Sequence, residues 1–134
     1  LGSSLATAAE VALPLAAGPE RAIAATKTYT NQIAALALLA GYAAGRGPEL
    51  VEGIRRTADL LEELLPTLER RVSELAVSLA FVGRMFVIGR GTEFATAREI
   101  SLKLLETCRV AAEPLTATDL VHGPVAAIDG LFPV

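Results

Sequence analysis

The chain has one histidine, His122, set in the run Asp-Leu-Val-His-Gly-Pro at 119–124. Imidazole titrates closest to neutrality of all side chains, so it can give or take a proton at physiological pH. Pro124 stands where a helix can open, and the positive end of a helix dipole disfavours a cation beside it. That would keep the imidazole neutral and able to accept a proton. A lone histidine next to a turn is nonetheless more often structural, and these residues alone favour that reading. The second set of candidates lies in Thr92–Cys108. At about 100° per residue, Glu99, Lys103 and Glu106 share one sector of a helix, and Phe94, Ala97, Leu104, Leu105 and Cys108 line the opposite side. Charges so spaced form a ladder of ion pairs. Two readings stay open: a solvated face with ordinary pairs, which is the commoner, or a carboxylate lining a cleft, with Lys103 holding its neighbours and Glu106 free as a general base.

Two further clusters deserve the same weighing. Gly89-Arg90-Gly91 follows an apolar run and precedes Thr92, a residue able to cap a helix. Backbone N–H groups and a helix dipole directed at such a loop can hold an anion. A tight strand-to-helix turn with no ligand is commoner, and Phe94 stands where a dinucleotide fingerprint would have its third glycine. Near the start, Glu20, Arg21, Thr26, Lys27 and Thr30 gather at the mouth of a helix, either to hold an anionic sugar or phosphate or simply to cap and solubilise it. Cys108 falls on the apolar side of its helix and reads as a buried, inert thiol.

These groups need a scaffold. With 134 residues, 52% of them hydrophobic, the chain is long and apolar enough for one ordinary folded domain. Its net charge of −3 and scattered arginines give no footprint for nucleic acid. A single cysteine excludes an internal disulfide and a cysteine-built zinc site, and it fits a reducing cytoplasm. No signal peptide is visible, and the most apolar stretch, residues 32–45, is too short to span a bilayer. The chain reads as cytoplasmic, with no membrane partner. The first residue is not methionine and the last few stop within an apolar run, Leu131–Val134, that resembles a strand. The chain therefore reads as a piece of a longer protein.

Along the chain, "LGSSLATAAE" reads as a loop leading into a helix, and Val11–Leu15 as a short buried strand. Residues 26–45 form an alanine- and leucine-rich helix with Thr26 able to cap it and Gly45 able to end it. Its apolar residues face nearly every direction, which predicts burial between other elements. Pro48 opens a second helix, Pro66 breaks or kinks it, and a third runs from 67 to 80. Residues 84–88 form a strand, 92–108 a helix and 110–115 a second strand, with Pro124 opening another helix. This alternation predicts a helix-rich α/β fold of parallel layers, with a helical connector between two α/β pieces.

Three segments, "AGPERAIAATKTYTNQ", "GRGTEFATAREISLKLLE" and "DLVHGPVAAID", closely resemble in order and spacing the sugar isomerase (SIS) family. The likeness is greatest to the isomerase half of the glucosamine-6-phosphate synthases and of their glutaminase-less relatives. It covers nearly the whole chain. The resemblance implies two tandem SIS domains, of which residues 1–45 are the end of the first, 46–80 the helical connector and 81–134 the start of the second. It implies that Glu106 moves a proton between C1 and C2 of a hexose 6-phosphate and that His122 opens the sugar ring, reaching the site of a neighbouring subunit in a homodimer. Glu20, Ile23 and Lys27 match the segment bordering the sugar pocket, and Glu99 and Lys103 match positions that support the glutamate helix. No metal or other cofactor is implied.

The departures point away from the synthases proper. The family's Gly-Ala after the first glutamate is Ile100-Ser101 here, its second helix lysine is Leu105, and the lysine before His-Gly-Pro is Val121. They lean toward relatives that deaminate, isomerise or deglycate sugar phosphates. A non-catalytic sugar-phosphate-binding module is the reading from another class; keeping both Glu106 and His122 favours the enzyme. The family's phosphate loop would precede Leu1, and its Schiff-base lysine would follow Val134. The 134-residue chain alone is therefore expected to give no turnover of fructose 6-phosphate or glucosamine 6-phosphate, with or without ammonia. Turnover above a buffer control would overturn the assignment of roles.

Overall fold

The computed structural model describes residues 2–130 and 132–134. Five α-helices and two strands are assigned among them: α1 (Ser4–Ala8), α2 (Lys27–Ala43), α3 (Gly47–Leu79), β1 (Arg84–Ile88), α4 (Glu93–Lys103), β2 (Ala111–Leu115) and α5 (Ala117–Val121). A π-helical turn, Leu104–Cys108, extends α4, and a 3-10 turn, Pro124–Ala127, follows α5. The fold is α/β and helix-rich, with one parallel two-stranded sheet. The chain divides into two units, one ending at Pro66 and the other beginning at Thr67.

In the first unit, α1 is a single capped turn in which Ser3 Oγ accepts from the Ala6 amide; Leu1 lies outside the described residues. The expected strand at Val11–Leu15 does not form, and residues 11–20 have no regular structure. A strand needs a neighbour to satisfy its N–H and C=O groups, and Pro14 has no N–H to give. The Leu15 carbonyl is instead taken by Asn31 Nδ2 at 3.2 Å. Helix α2 forms where alanine and leucine dominate. It ends in a Schellman motif: Arg46 N–H bonds Gly41 O at 2.7 Å and Gly45 N–H bonds Tyr42 O at 3.1 Å. Gly45 has φ +72°, a conformation that glycine adopts without a Cβ penalty. The expectation that α2 is sandwiched is not met, because Ile33, Leu36, Leu39 and Tyr42 are exposed. Leu38 is half-buried, but Leu36 and Leu39 are left uncovered by the described residues of this unit.

Helix α3 starts with Pro48 in its first turn, where a missing N–H costs nothing. Pro66 does not end it. The helix continues as one element to Leu79. Proline leaves the carbonyl four residues earlier without its partner, and that residue, Glu62, is exposed, so water can serve instead. The stretch expected to be helical, 46–80, is thus helical over Gly47–Leu79, in one piece rather than two.

The second unit holds the sheet. β1 and β2 pair in parallel with Arg84 opposite Ala111 and Ile88 opposite Leu115, and Gly89 N–H extends the ladder to Leu115 O at 3.0 Å. Phe86, Ala97, Val110 and Ser101 form the buried centre where α4 lies against both strands. The Phe86 and Phe132 rings meet at a 4.6 Å centroid distance, tilted by 43°, and the Arg84 guanidinium lies 5.1 Å from the Phe132 centroid. The expected strand over Leu131–Val134 is not formed at 132–134, although Pro133 O accepts from Phe86 N–H at 3.1 Å; Leu131 lies outside the described residues. One bond beside β1 does not make a ladder.

Gly89 is the closest approach in this unit. A Cβ there would sit 2.5 Å from Glu93 O and 2.8 Å from Phe94 Cα, so the start of α4 could not lie as it does on the end of β1. Ser101 is only 4% exposed and its hydroxyl has no hydrogen-bond partner among the described residues. Two opposite substitutions test this packing. Gly89→Ala should destabilise by about 1–3 kcal/mol, the usual cost of overpacking. Ser101→Ala should stabilise by about 1 kcal/mol, since it removes an unsatisfied buried group. Urea midpoints measure both, and a Ser101→Ala protein that unfolds earlier would show that the hydroxyl has a partner.

Candidate functional site

Helix α4 opens with i→i+3 bonds: Glu93 to Arg90 O, Phe94 to Gly91 O and Ala95 to Thr92 O. Thr92 is therefore already helical, at φ −61° and ψ −31°, and makes no side-chain cap, contrary to expectation. The Gly-Arg-Gly segment is a tight turn between strand and helix, and Gly91 takes φ +58°.

At the other end of α4 the helix widens. Residues 104–108 are π-helical, and Arg109 stops the turn in a left-handed conformation with its N–H on Leu104 O. Such π turns recur at functional sites because they re-aim side chains within a helix. Glu106 is in the middle of this one. Lys103 Nζ stands 2.9 Å from Glu106 Oε2 and 3.4 Å from Glu99 Oε1, so the three residues of the predicted sector meet. All three side chains are mostly covered, at 26%, 31% and 21% exposure for Lys103, Glu106 and Glu99. Glu106 is not free, as the cleft-lining reading of the sequence required; it is ion-paired, as the commoner reading had it. One of its oxygens is held by Lys103, and the other accepts no hydrogen bond among the described residues. The bond to Glu106, with the charges of Glu106 and Glu99, holds the Lys103 ammonium pKa above its ordinary 10.5.

The π turn also corrects the reading of Cys108. More residues per turn rotate it off the packed stripe, and the thiol is exposed, 3.4 Å from Thr107 Oγ1. Leu105 is turned out with it.

His122 is found at an end of a helix that the sequence reading missed. Thr116 and Asp119 form a capping box: Thr116 Oγ1 accepts from Asp119 N–H at 3.1 Å, and Asp119 Oδ2 accepts from Thr116 N–H at 3.2 Å. This pair, Thr-x-x-Asp, was the signal available in the sequence. His122 closes α5, with its N–H on Asp119 O at 3.2 Å, and is exposed. It therefore follows a helix as well as preceding the Pro124 turn, which is a 3-10 turn of 4 residues rather than a helix. Glu106 leads into the N-terminal end of β2 and His122 follows the helix leaving its C-terminal end. No hydrogen bond or ion pair joins them among the described residues. A cavity of about 380 Å³ opens beside the N-terminal end of β1, against Phe81, Arg84, Asp129 and Phe132, and includes none of the residues singled out from the sequence.

The N-terminal cluster is built around Glu20. Its Oε2 accepts from Thr26 N–H at 3.2 Å and from the N–H and hydroxyl of Thr28, each at 3.1 Å. Thr26, expected to cap α2, makes no side-chain cap; the carboxylate six residues earlier does that work. Thr28 was the residue missed, and no fixed spacing could have found it. Lys27 Nζ donates to Pro19 O at 2.6 Å and lies 4.0 Å from Glu20 Oε1. Thr30 Oγ1 turns back to the carbonyls of Thr26 and Lys27. Ile23 is fully exposed.

The bond from the Thr28 amide, with the Thr28 hydroxyl, the Thr26 amide and the Lys27 charge, holds the Glu20 carboxyl below its ordinary 4.5. A lowered pKa means that its stabilisation is complete above 4.5 and is lost as pH falls through the lowered value. The Lys103 pair has the opposite sign: its stabilisation is complete below 10.5 and is lost as pH rises through the raised value. In an NMR titration the Thr26 and Thr28 amide shifts should move with Glu20 on the acid side of 4.5. Amide shifts that stay fixed while Glu20 titrates would refute the cap.

No family model matches the chain. Among curated proteins it is similar to the glutamine–fructose-6-phosphate aminotransferase [isomerizing] of Methanothermobacter thermautotrophicus, with 40% identity over 134 residues. The protein of that name from Pyrococcus horikoshii is 41% identical over 138 residues, and form 2 from Homo sapiens is 33% identical over 141. Each match covers 100% of this chain and 22%, 23% and 20% of the relative, in that order, so the chain spans about a fifth of their length. No helix among the described residues is long and apolar enough to cross a membrane. From its first residue to its last, the chain is similar to one segment of the glutamine–fructose-6-phosphate aminotransferases, in keeping with the resemblance that its motifs carry.

Proposed function

We propose that this segment serves an enzyme that moves a proton between C1 and C2 of a hexose 6-phosphate, in the fructose 6-phosphate and glucosamine 6-phosphate class, in the cytoplasm and as a homodimer. The observation that carries this reading is the union of Glu99 and Lys103 of α4 with Glu106 of the π turn. Lys103 steadies Oε2 of Glu106 and leaves the other oxygen to meet a substrate C–H. A carboxylate held by one oxygen is pre-positioned as a general base, since little freedom remains to be lost in the transition state. Glu106 takes the proton from one carbon and returns it to the other through an enol-type intermediate. Glu99 keeps Lys103 between two carboxylates.

In this proposal His122 assists ring opening. Its location past the far end of β2 from Glu106 supports a role in a neighbouring subunit's site. Four residue steps of about 3.3 Å separate the ends of that strand by roughly 13 Å, so one chain's Glu106 and His122 are not drawn together by the strand itself. Residues 1–45 are the end of a first SIS domain, 46–80 the connector and 81–134 the start of a second. The helical character of 47–79 and the strand–helix–strand order that follows support this division.

The test uses protein made from the complete open reading frame. Glu106→Gln keeps the shape and removes the base, so proton exchange at C1 and C2 should fall by about 10²–10⁴-fold while sugar phosphate still binds. Deuterium exchange followed by NMR measures it. His122→Asn should slow turnover of the cyclic sugar more than that of an open-chain analogue. Wild-type exchange in Glu106→Gln leaves the mechanism without its base, and sugar-phosphate binding with no turnover in the unaltered protein would establish the regulatory module instead.

A further inference from the structure

The helical register slips by one residue where α4 meets the π turn. In an α-helix the Lys103 carbonyl would accept from the amide of Thr107, four residues on; the i→i+5 pattern of the π turn passes it to the residue after. Thr107 keeps that carbonyl by another atom. Its Oγ1 donates to Lys103 O at 2.6 Å. Thr7, Thr30, Thr57 and Ser73 make the same side-chain bond within regular α-helix, at 3.1, 3.2, 2.9 and 3.0 Å. In such a helix the carbonyl also has the amide of the same residue, as Thr7 and Thr30 show, so the hydroxyl is a second and longer partner. Among these five bonds, the short one is at the slip. A hydroxyl has one proton to give. With it on Lys103 O, the 3.4 Å contact between Thr107 Oγ1 and Cys108 Sγ has the thiol as donor.

We propose that Thr107 is a positioning residue for Glu106: its hydroxyl holds the end of α4 in the wide register, and that register sets where the adjacent carboxylate points. What Glu106 does there rests on the function proposed above; the hold on the turn does not. Three interactions meet at this turn. The Arg109 and Val110 amides close on Leu104 O, Lys103 Nζ reaches Glu106 Oε2, and Thr107 takes Lys103 O. A left-handed residue also ends ordinary α-helices, and an i,i+3 ion pair fits them equally well. Only the Thr107 bond replaces what the slip removes. Without it the turn falls back to α-helix, which carries Cys108 from solvent to the side of Ala97 and Ser101, 3% and 4% exposed. A reacting group misplaced by about 1 Å can lose roughly 10²-fold in rate. Thr107 therefore governs the base without touching the sugar.

Protein from the complete reading frame tests this with Thr107→Val, which keeps the shape and loses the hydroxyl, and Thr107→Ser, which keeps the hydroxyl. Iodoacetamide labelling of Cys108, followed on its own peptide by mass spectrometry, reads the register. Thr107→Val should slow labelling by about tenfold or more, since a covered thiol reacts only through local opening. Loss of the hydroxyl alone frees the thiol from its bond and would speed labelling, so the two effects differ in sign. Proton exchange at C2 of fructose 6-phosphate should fall by roughly tenfold to 10²-fold in Thr107→Val, in kcat more than in KM. Thr107→Ser should restore labelling and exchange together. Thr107→Ala, with the better helix propensity, replaces Thr107→Val if that variant does not fold. Labelling of Cys108 at the unaltered rate or faster in a folded variant without the hydroxyl would overturn the proposal. So would a slowed label with unchanged exchange, because the register would then not steer Glu106. Unaltered protein that exchanges no proton would sink the proposed function, and the labelling series would still decide what holds the turn.

Discussion

Two strands lying side by side in the same direction cannot be joined by a tight turn; the chain must travel back the full length of the first before it can begin the second. Most of what residues 84–115 do follows from that return journey. Helix α4 makes it, and 11 residues of helix at about 1.5 Å each cover roughly the 13 Å spanned by a five-residue strand. To lie on the sheet, the helix needs small residues beneath it. Ala97 and Ser101 are buried there, and Gly89 lets its first turn sit on the end of β1. Once that face is fixed, Glu99 and Lys103 are left on a partly covered flank, and the return ends where Glu106 stands.

The last turn of the crossover is where regular geometry gives way. An α-helix continued to Cys108 would carry that thiol over the sheet with Ala97 and Ser101. The wider turn shifts the closing residues out of that register, and the left-handed Arg109 then reverses the chain into β2. A strained turn at the end of an element needs local support, and Lys103 supplies it by bonding across the junction between the two helical forms. The charged triad thus serves structure and candidate chemistry through the same three side chains.

Periodicity made much of this legible. The spacing of apolar residues located α2, the helical run after Pro48, both strands and α4 with its charged sector. What it missed was decided by partners at variable distances. Glu20 caps a helix from six residues upstream, a contact no fixed pattern encodes, and Thr26 looked like the cap because it occupies the customary position. Val11–Leu15 has the composition of a strand but no neighbour. Pro66 looked like a break because its local cost is real, yet an exposed carbonyl and long helical arms on either side absorb it. The π turn is invisible in composition, since residues 104–108 read equally well as ordinary helix. For the site itself, the grouping of Glu99, Lys103 and Glu106 was readable, whereas the short helix before His122 required attention to Thr116 and Asp119.

The exposed thiol at the end of the π turn gives the molecule a built-in attachment point. Cys108 is the chain's sole cysteine, so an alkylating dye or nitroxide has a single thiol to find, two residues from Glu106. A spin label or fluorophore fixed there would ride on the same turn as the carboxylate, without any engineered cysteine. The widening that displaced this side chain from the interior has made the turn's own motion open to spectroscopy.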